Sequence, residues 1–165
     1  RAAPLGTGTY KVGGNYAASL KANQIAHEKG YASEFYLDCK EKKYVDECGA
    51  ANFFGIKNNT YVTPESSSIL PSITNKSLMQ IAEDLGMKVE RRPIPEEELA
   101  TFEEAGACGT AAVISPISRL DDVEEGKTYN FGEKPGPWSL KLYETLRGIQ
   151  YGTIEDKHNW TMIIM

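Results

Sequence analysis

In GTGTYKVGGNY, residues 6–16, four glycines surround Lys11, and Tyr16 follows a short turn later. On residue type alone such a lysine is a solvated surface charge in a loose loop. Crowded against backbone and poorly hydrated, its amine would instead be a nucleophile able to condense with a carbonyl. Such chemistry needs an anchor for the partner molecule, and "LPSITN" offers one: the N–H groups of Ile73 and Thr74 open a helix, where orphan donors and the helix dipole favour an anion. The alternative is an ordinary helix start with Thr74 as its cap. "CGTAA", residues 108–112, adds a small-residue turn in which Thr110 has both a hydroxyl and an N–H to give; the alternative there is tight core packing. In "VDECGAANFF", Glu47 is either a surface carboxylate or points inward to a cation, with Asp46 as the solvated neighbour because successive strand side chains face opposite ways.

Two familiar phosphate motifs fail on inspection. A P-loop needs lysine directly after its last glycine, but Gly14 follows Gly13; a dinucleotide fingerprint needs glycine where Lys11 stands.

The elements that must hold these residues read as a mixed α and β domain. Asn15 is expected to cap a helix through YAASLKANQIAHEK, stopped by Gly30. SEFYLD and YVDE read as one hairpin, and NFFGIK and TYVTP as a second around Asn58-Asn59. After a loop, Leu78, Ile81, Ala82 and Leu85 follow helical spacing up to Gly86. MKVERRPI alternates as a strand, PEEELATF is a short acidic helix, and AGACGTAAVISPI is a buried strand-turn-strand. Residues 119–135 read as a polar connection, and Pro137 opens a last helix to Gly152.

The 165 residues suit one domain, and a net charge of −5 argues against nucleic acid or an anionic membrane as partner. Three cysteines without a CxxC pair and two distant histidines support neither a disulfide framework nor a metal site. No apolar run approaches the roughly 20 residues of a membrane span. These features are expected of a cytoplasmic protein.

The lysine, tyrosine, inward glutamate and two phosphate turns, in that order, resemble the large domain of a fold-type IV pyridoxal phosphate enzyme, and more narrowly the branched-chain aminotransferases. GTGTYKVGGNYAASL, YVDECGAANFF, ILPSITNKSLMQIAEDLG, ACGTAAVISPI and GPWSLKLYETLRGIQYG carry the resemblance across nearly the whole chain. It implies an α/β (mixed α+β) fold, a β-strand pseudobarrel with surrounding helices, and pyridoxal 5′-phosphate as cofactor. It implies Lys11 as covalent anchor and proton shuttle, Tyr16 on the cofactor's phenolic oxygen, and Glu47 on its pyridine nitrogen. Ile73, Thr74 and Thr110 would hold the phosphate, and Thr110 and Ala111 the substrate carboxylate. The implied reaction moves the amino group of leucine, isoleucine or valine to 2-oxoglutarate in a homodimer. Ser72 and Ala51 depart from the family pattern, which frequently has glycine and an acidic residue there.

The resemblance further implies that residues 1–165 are the cofactor-binding large domain, with the small N-terminal domain absent from this chain, so that the chain alone transaminates poorly. The alternatives are a D-amino acid aminotransferase, an aminodeoxychorismate lyase, or a non-catalytic phosphate- or small-molecule-binding module.

Overall fold

The computed structural model describes residues 2–164. Where one helix was expected there are two short ones, α1 (Gly13–Ala17) and α2 (Leu20–Glu28). Val12 takes the cap position without a side-chain bond, and Asn15 is buried inside α1 rather than capping it. The break follows from Ser19, whose hydroxyl donates to the Tyr16 carbonyl at 2.7 Å and so competes with the helical ladder. Gly30 and Gly86 do stop their helices, with φ of +81° and +80°.

β1 (Phe35–Leu37) and β2 (Val45–Cys48) form the first antiparallel pair. β3 (Ala51–Lys57) and β4 (Thr60–Pro64) form the second, turning at Asn58 and Asn59 with φ of 48° and 55°, the left-handed pair that a two-residue hairpin requires. β3 is the spine of a seven-stranded sheet. It pairs with β2 and β4 along one edge and with β6 (Glu104–Gly109) along the other. β7 (Val113–Ile117) extends the sheet beyond β6. β5 (Lys88–Arg92) joins β4 in parallel, and α3 (Ile73–Asp84) makes the crossover.

This is the mixed α/β arrangement that the resemblance implied, with three differences in detail. The acidic segment Glu96–Thr101 is a 3-10 helix. β7 is buried only at Val113 and Ile114, while Ser115 and Pro116 are exposed. The expected polar connection contains a hairpin of β8 (Arg119–Asp122) and β9 (Lys127–Asn130). Its charged residues hide the strand signal, and Leu120, Tyr129 and Phe131 tie it to the core.

Phe53 and Phe54, both 0% exposed, point to opposite faces of the sheet. Phe54 packs with Leu78 and Ile81 of α3 and with Leu142 and Leu146 of α4 (Pro137–Tyr151). Phe53 packs with Val62, Ile94, Leu99 and Phe102. Burying one such ring stabilises the fold by about 1.5–3 kcal/mol.

Polar bonds fix both long helices to the sheet. Tyr61 donates to Asn75 Oδ1 at 2.7 Å, Asn75 Nδ2 donates to Thr63 Oγ1 at 2.9 Å, and Thr63 donates to the Phe53 carbonyl at 2.8 Å. Buried Glu104 accepts the N–H groups of Trp138 and Ser139 at 3.0 and 2.8 Å and the Ser139 hydroxyl at 2.7 Å. A carboxylate on β6 thus satisfies orphan donors of α4 and complements its dipole.

Candidate active site

The loop before α1 is held by residues that spacing alone does not reveal. Asn15 Oδ1 accepts the Thr7 hydroxyl at 2.7 Å, while Nδ2 donates to the carbonyls of Thr7 and Tyr10 at 2.8 and 2.9 Å. Gly8 is buried, and a Cβ there would lie 2.2 Å from the Ser68 carbonyl oxygen, so only glycine lets this loop rest on the segment leading into α3. Beyond these fixed points Lys11 emerges exposed. The expected crowding of its amine by backbone is not found, because the close approach occurs at Gly8 and leaves Lys11 clear of it.

Lys11 lines a cleft of about 950 Å³ together with Gly109, Thr110, Ala111 and Ala112. The turn between β6 and β7 is exposed at residues 110–112, so tight core packing is not its role. The cleft also receives Lys29, Glu34, Arg119 and Cys48. Glu34 accepts from Asn23 Nδ2 at 2.9 Å and from the Tyr36 hydroxyl at 3.0 Å. Burial works to raise its pKa, but these bonds outweigh it and hold the carboxyl below the usual range. Glu34 carries no sequence signal, since its Asn23 partner comes from a different element. Burial pushes the Cys48 thiol well above its ordinary value, with Cys108, Glu47 and Glu34 adding to the effect, which makes it a poor nucleophile.

Glu47 is 4% exposed, as an inward carboxylate should be, but Asp46 is also 4% exposed and is not the solvated neighbour expected. β2 lies between β1 and β3 with all four residues buried, so neither face meets water. Cys48 lines the cleft, and Glu47 Oε1 accepts the Leu70 N–H at 2.6 Å. The Leu70 carbonyl accepts from Asn52 Nδ2 at 3.0 Å.

Leu70 leads into α3, whose cap is Ser72 rather than Thr74: the Ser72 hydroxyl accepts the Asn75 N–H at 3.1 Å. Ile73 and Thr74 are therefore the first two helical residues, and their N–H groups point out of the ladder.

Lys11, Thr110 and Ala111 thus share one cleft, whereas Glu47, Ile73 and Thr74 gather around the Leu70 segment and Tyr16 sits half-buried on α1. Two links join the groups. Gly8 lays the Lys11 loop on Ser68, and strand register runs from Glu47 to Asn52 to Cys108, two residues before Thr110.

Residues 2–120 match the family model for amino-transferase class IV. The chain belongs to this family. It is 52% identical to a Branched-chain-amino-acid aminotransferase of Helicobacter pylori (strain J99 / ATCC 700824) over 97% of its length and 47% of that relative's. It is 43% identical to Branched-chain-amino-acid aminotransferase 5, chloroplastic, of Arabidopsis thaliana, over 98% of the chain and 39% of the relative. Among solved structures it superimposes on the Escherichia coli branched-chain amino acid aminotransferase with a TM-score of 0.85 at 32% identity, covering 97% of this chain and 51% of that one. The branched-chain amino acid aminotransferase from Thermobaculum terrenum, in its PLP-form, gives a TM-score of 0.81 at 28% identity, covering 94% and 49%. The chain spans about half the length of the curated relatives it matches.

Proposed function

We propose that this class IV amino-transferase chain is the cofactor-binding part of a pyridoxal 5′-phosphate-dependent branched-chain aminotransferase, which moves the amino group of leucine, isoleucine or valine to 2-oxoglutarate. The observation that carries the reading is the cleft shared by Lys11 and the Thr110–Ala111 turn, with Gly8 laying the Lys11 loop on the segment that opens α3. The donors present fit the cofactor. Lys11 is its covalent anchor, the N–H groups of Ile73 and Thr74 with Thr110 hold the phosphate, Tyr16 takes the phenolic oxygen and Glu47 the pyridine nitrogen. When bound, the cofactor supplies an electron sink for a carbanion at the substrate Cα.

The chain's own residues do the rest. Lys11 Nζ, on a residue exposed to the cleft, would accept the proton from the Cα of the amino acid once the substrate's own amine has taken its place on the cofactor and freed it. Thr110 and Ala111, exposed on the same wall, offer N–H groups to the substrate carboxylate. Glu47, buried and held by the Leu70 N–H, is the carboxyl placed to face the ring nitrogen. The names of the relatives support the branched-chain substrates. The free thiols of Cys39, Cys48 and Cys108 support a cytoplasmic setting, and the exposed Leu5, Tyr10 and Leu20 support a homodimer or domain contact covering them.

Borohydride reduction in the presence of pyridoxal 5′-phosphate tests the anchor. Mass analysis should find a phosphopyridoxyl adduct on the Lys11 peptide of the complete protein and none in Lys11→Ala; an adduct at another lysine, or none at all, overturns the reading. Residues 1–165 alone should turn leucine over poorly, and full transamination by that segment would contradict its role as one part of the enzyme.

A further inference from the structure

The peptide of Leu70 is gripped on both sides. Glu47 Oε1 accepts its N–H at 2.6 Å, and Asn52 Nδ2 donates to its carbonyl at 3.0 Å. The two gripping residues face each other across β2 and β3 and are 4% and 7% exposed. Only Pro71 stands between Leu70 and the Ser72 cap. Its ring fixes φ, so the orientation of the Leu70 peptide passes with little slack into the first turn of α3. Asn52 is also the register partner of Cys108, two residues before Thr110. The backbone of Asn52 therefore pairs with the strands that carry Glu47 and lead to Thr110, while its neutral side chain holds the approach to Ile73 and Thr74.

We infer that Asn52 is a positioning residue for the cofactor's phosphate: with Glu47 it immobilises Leu70 and thereby aims the N–H groups of Ile73 and Thr74. The inference rests on the pyridoxal phosphate reading above. Hydrogen bonds weaken steeply when donor and acceptor turn out of line, so a first turn free to swivel holds an anion less well even with every donor present. Asn52 brings no charge of its own, and its effect belongs to the phosphate end of the ligand. Removing it leaves Lys11 and Glu47 in place for the ring and the aldehyde.

The experiment titrates the complete apo protein, wild type and Asn52→Ala, with pyridoxal 5′-phosphate and separately with pyridoxal, which lacks the phosphate. Asn52→Ala should bind the phosphorylated probe roughly three- to tenfold more weakly, the range of one lost hydrogen bond, while pyridoxal affinity stays within about twofold. Equal losses for both probes show a merely structural role and overturn the inference, as does an unchanged affinity for the phosphorylated probe. Circular dichroism reports whether the variant folds; if alanine is not tolerated, Asn52→Ser is put through the same comparison with the same selective loss expected. Failure of the wild-type protein to prefer pyridoxal 5′-phosphate over pyridoxal overturns the cofactor reading itself, an outcome read without any variant.

Discussion

Arg92 bonds both oxygens of Glu98, at 2.9 and 2.6 Å, and Lys57 Nζ lies 2.8 Å from Oε1. The Arg92 bonds are the largest influence on the Glu98 carboxyl; burial opposes them, Lys57 assists, and the pKa falls to about 2. A carboxyl whose pKa is lower folded than unfolded contributes stability above its unfolded pKa and loses it as pH falls through the folded value. Glu98→Gln should therefore destabilise the protein by about 1 kcal/mol at neutral pH, a figure kept small because the pair is partly solvated. Denaturant melts at successive pH values should show the gap closing from the ordinary carboxylate range down towards pH 2, and a gap independent of pH would mean packing rather than charge. Tyr61→Phe acts differently, leaving Asn75 Oδ1 in the core without its 2.7 Å donor. It should cost about 1–2 kcal/mol at every neutral pH, read from equilibrium unfolding. Residue type announced such groups unevenly. Lys11 drew notice because glycines flank it, whereas Asn15 and Asn52 look like ordinary polar positions until their partners at Tyr10 and Leu70 are seen.

α3 was legible because its information is local: Leu78, Ile81 and Ala82 repeat at helical spacing and all three are buried. The Asn58-Asn59 hairpin was legible for the same reason. The break between α1 and α2 was not, since a single hydroxyl-to-carbonyl bond decides it, and β8–β9 was not, since its strands are short and half of their residues are charged. The start of α4 shows a further limit. Pro137 marks the first turn correctly, but the donors there are met by Glu104 from another strand. Glu104→Ala removes all three bonds to Trp138 and Ser139, and should lower stability by about 2 kcal/mol, roughly 4–8 °C in Tm for a domain of this length. A Tm close to that of wild type would show that water replaces the carboxylate without cost.

For the domain taken together, cofactor binding and folding are linked. A ligand held only by the folded state at about a hundred times its Kd stabilises that state by about 2.7 kcal/mol. Adding pyridoxal 5′-phosphate should therefore raise Tm in the wild-type protein, and Lys11→Ala should lose most of that rise because the covalent anchor is gone. A full shift retained by Lys11→Ala would remove Lys11 from its proposed place.

Local patterns were enough to single out Lys11 and the 108–112 turn as candidates and to place α3 and the Asn58-Asn59 hairpin, because periodicity and turn residues act over a few positions. Neighbours across the sheet were a different matter. The Glu47–Leu70 bond spans 23 positions and the Glu104–Ser139 bond 35, and Asn52 joins two candidate groups only because β3 is flanked by both β2 and β6. Such contacts follow from which strands share an edge and in what register. Burial of Phe53 and Phe54 on opposite faces sets that register through the packing of the whole sheet, and no short window of sequence contains it.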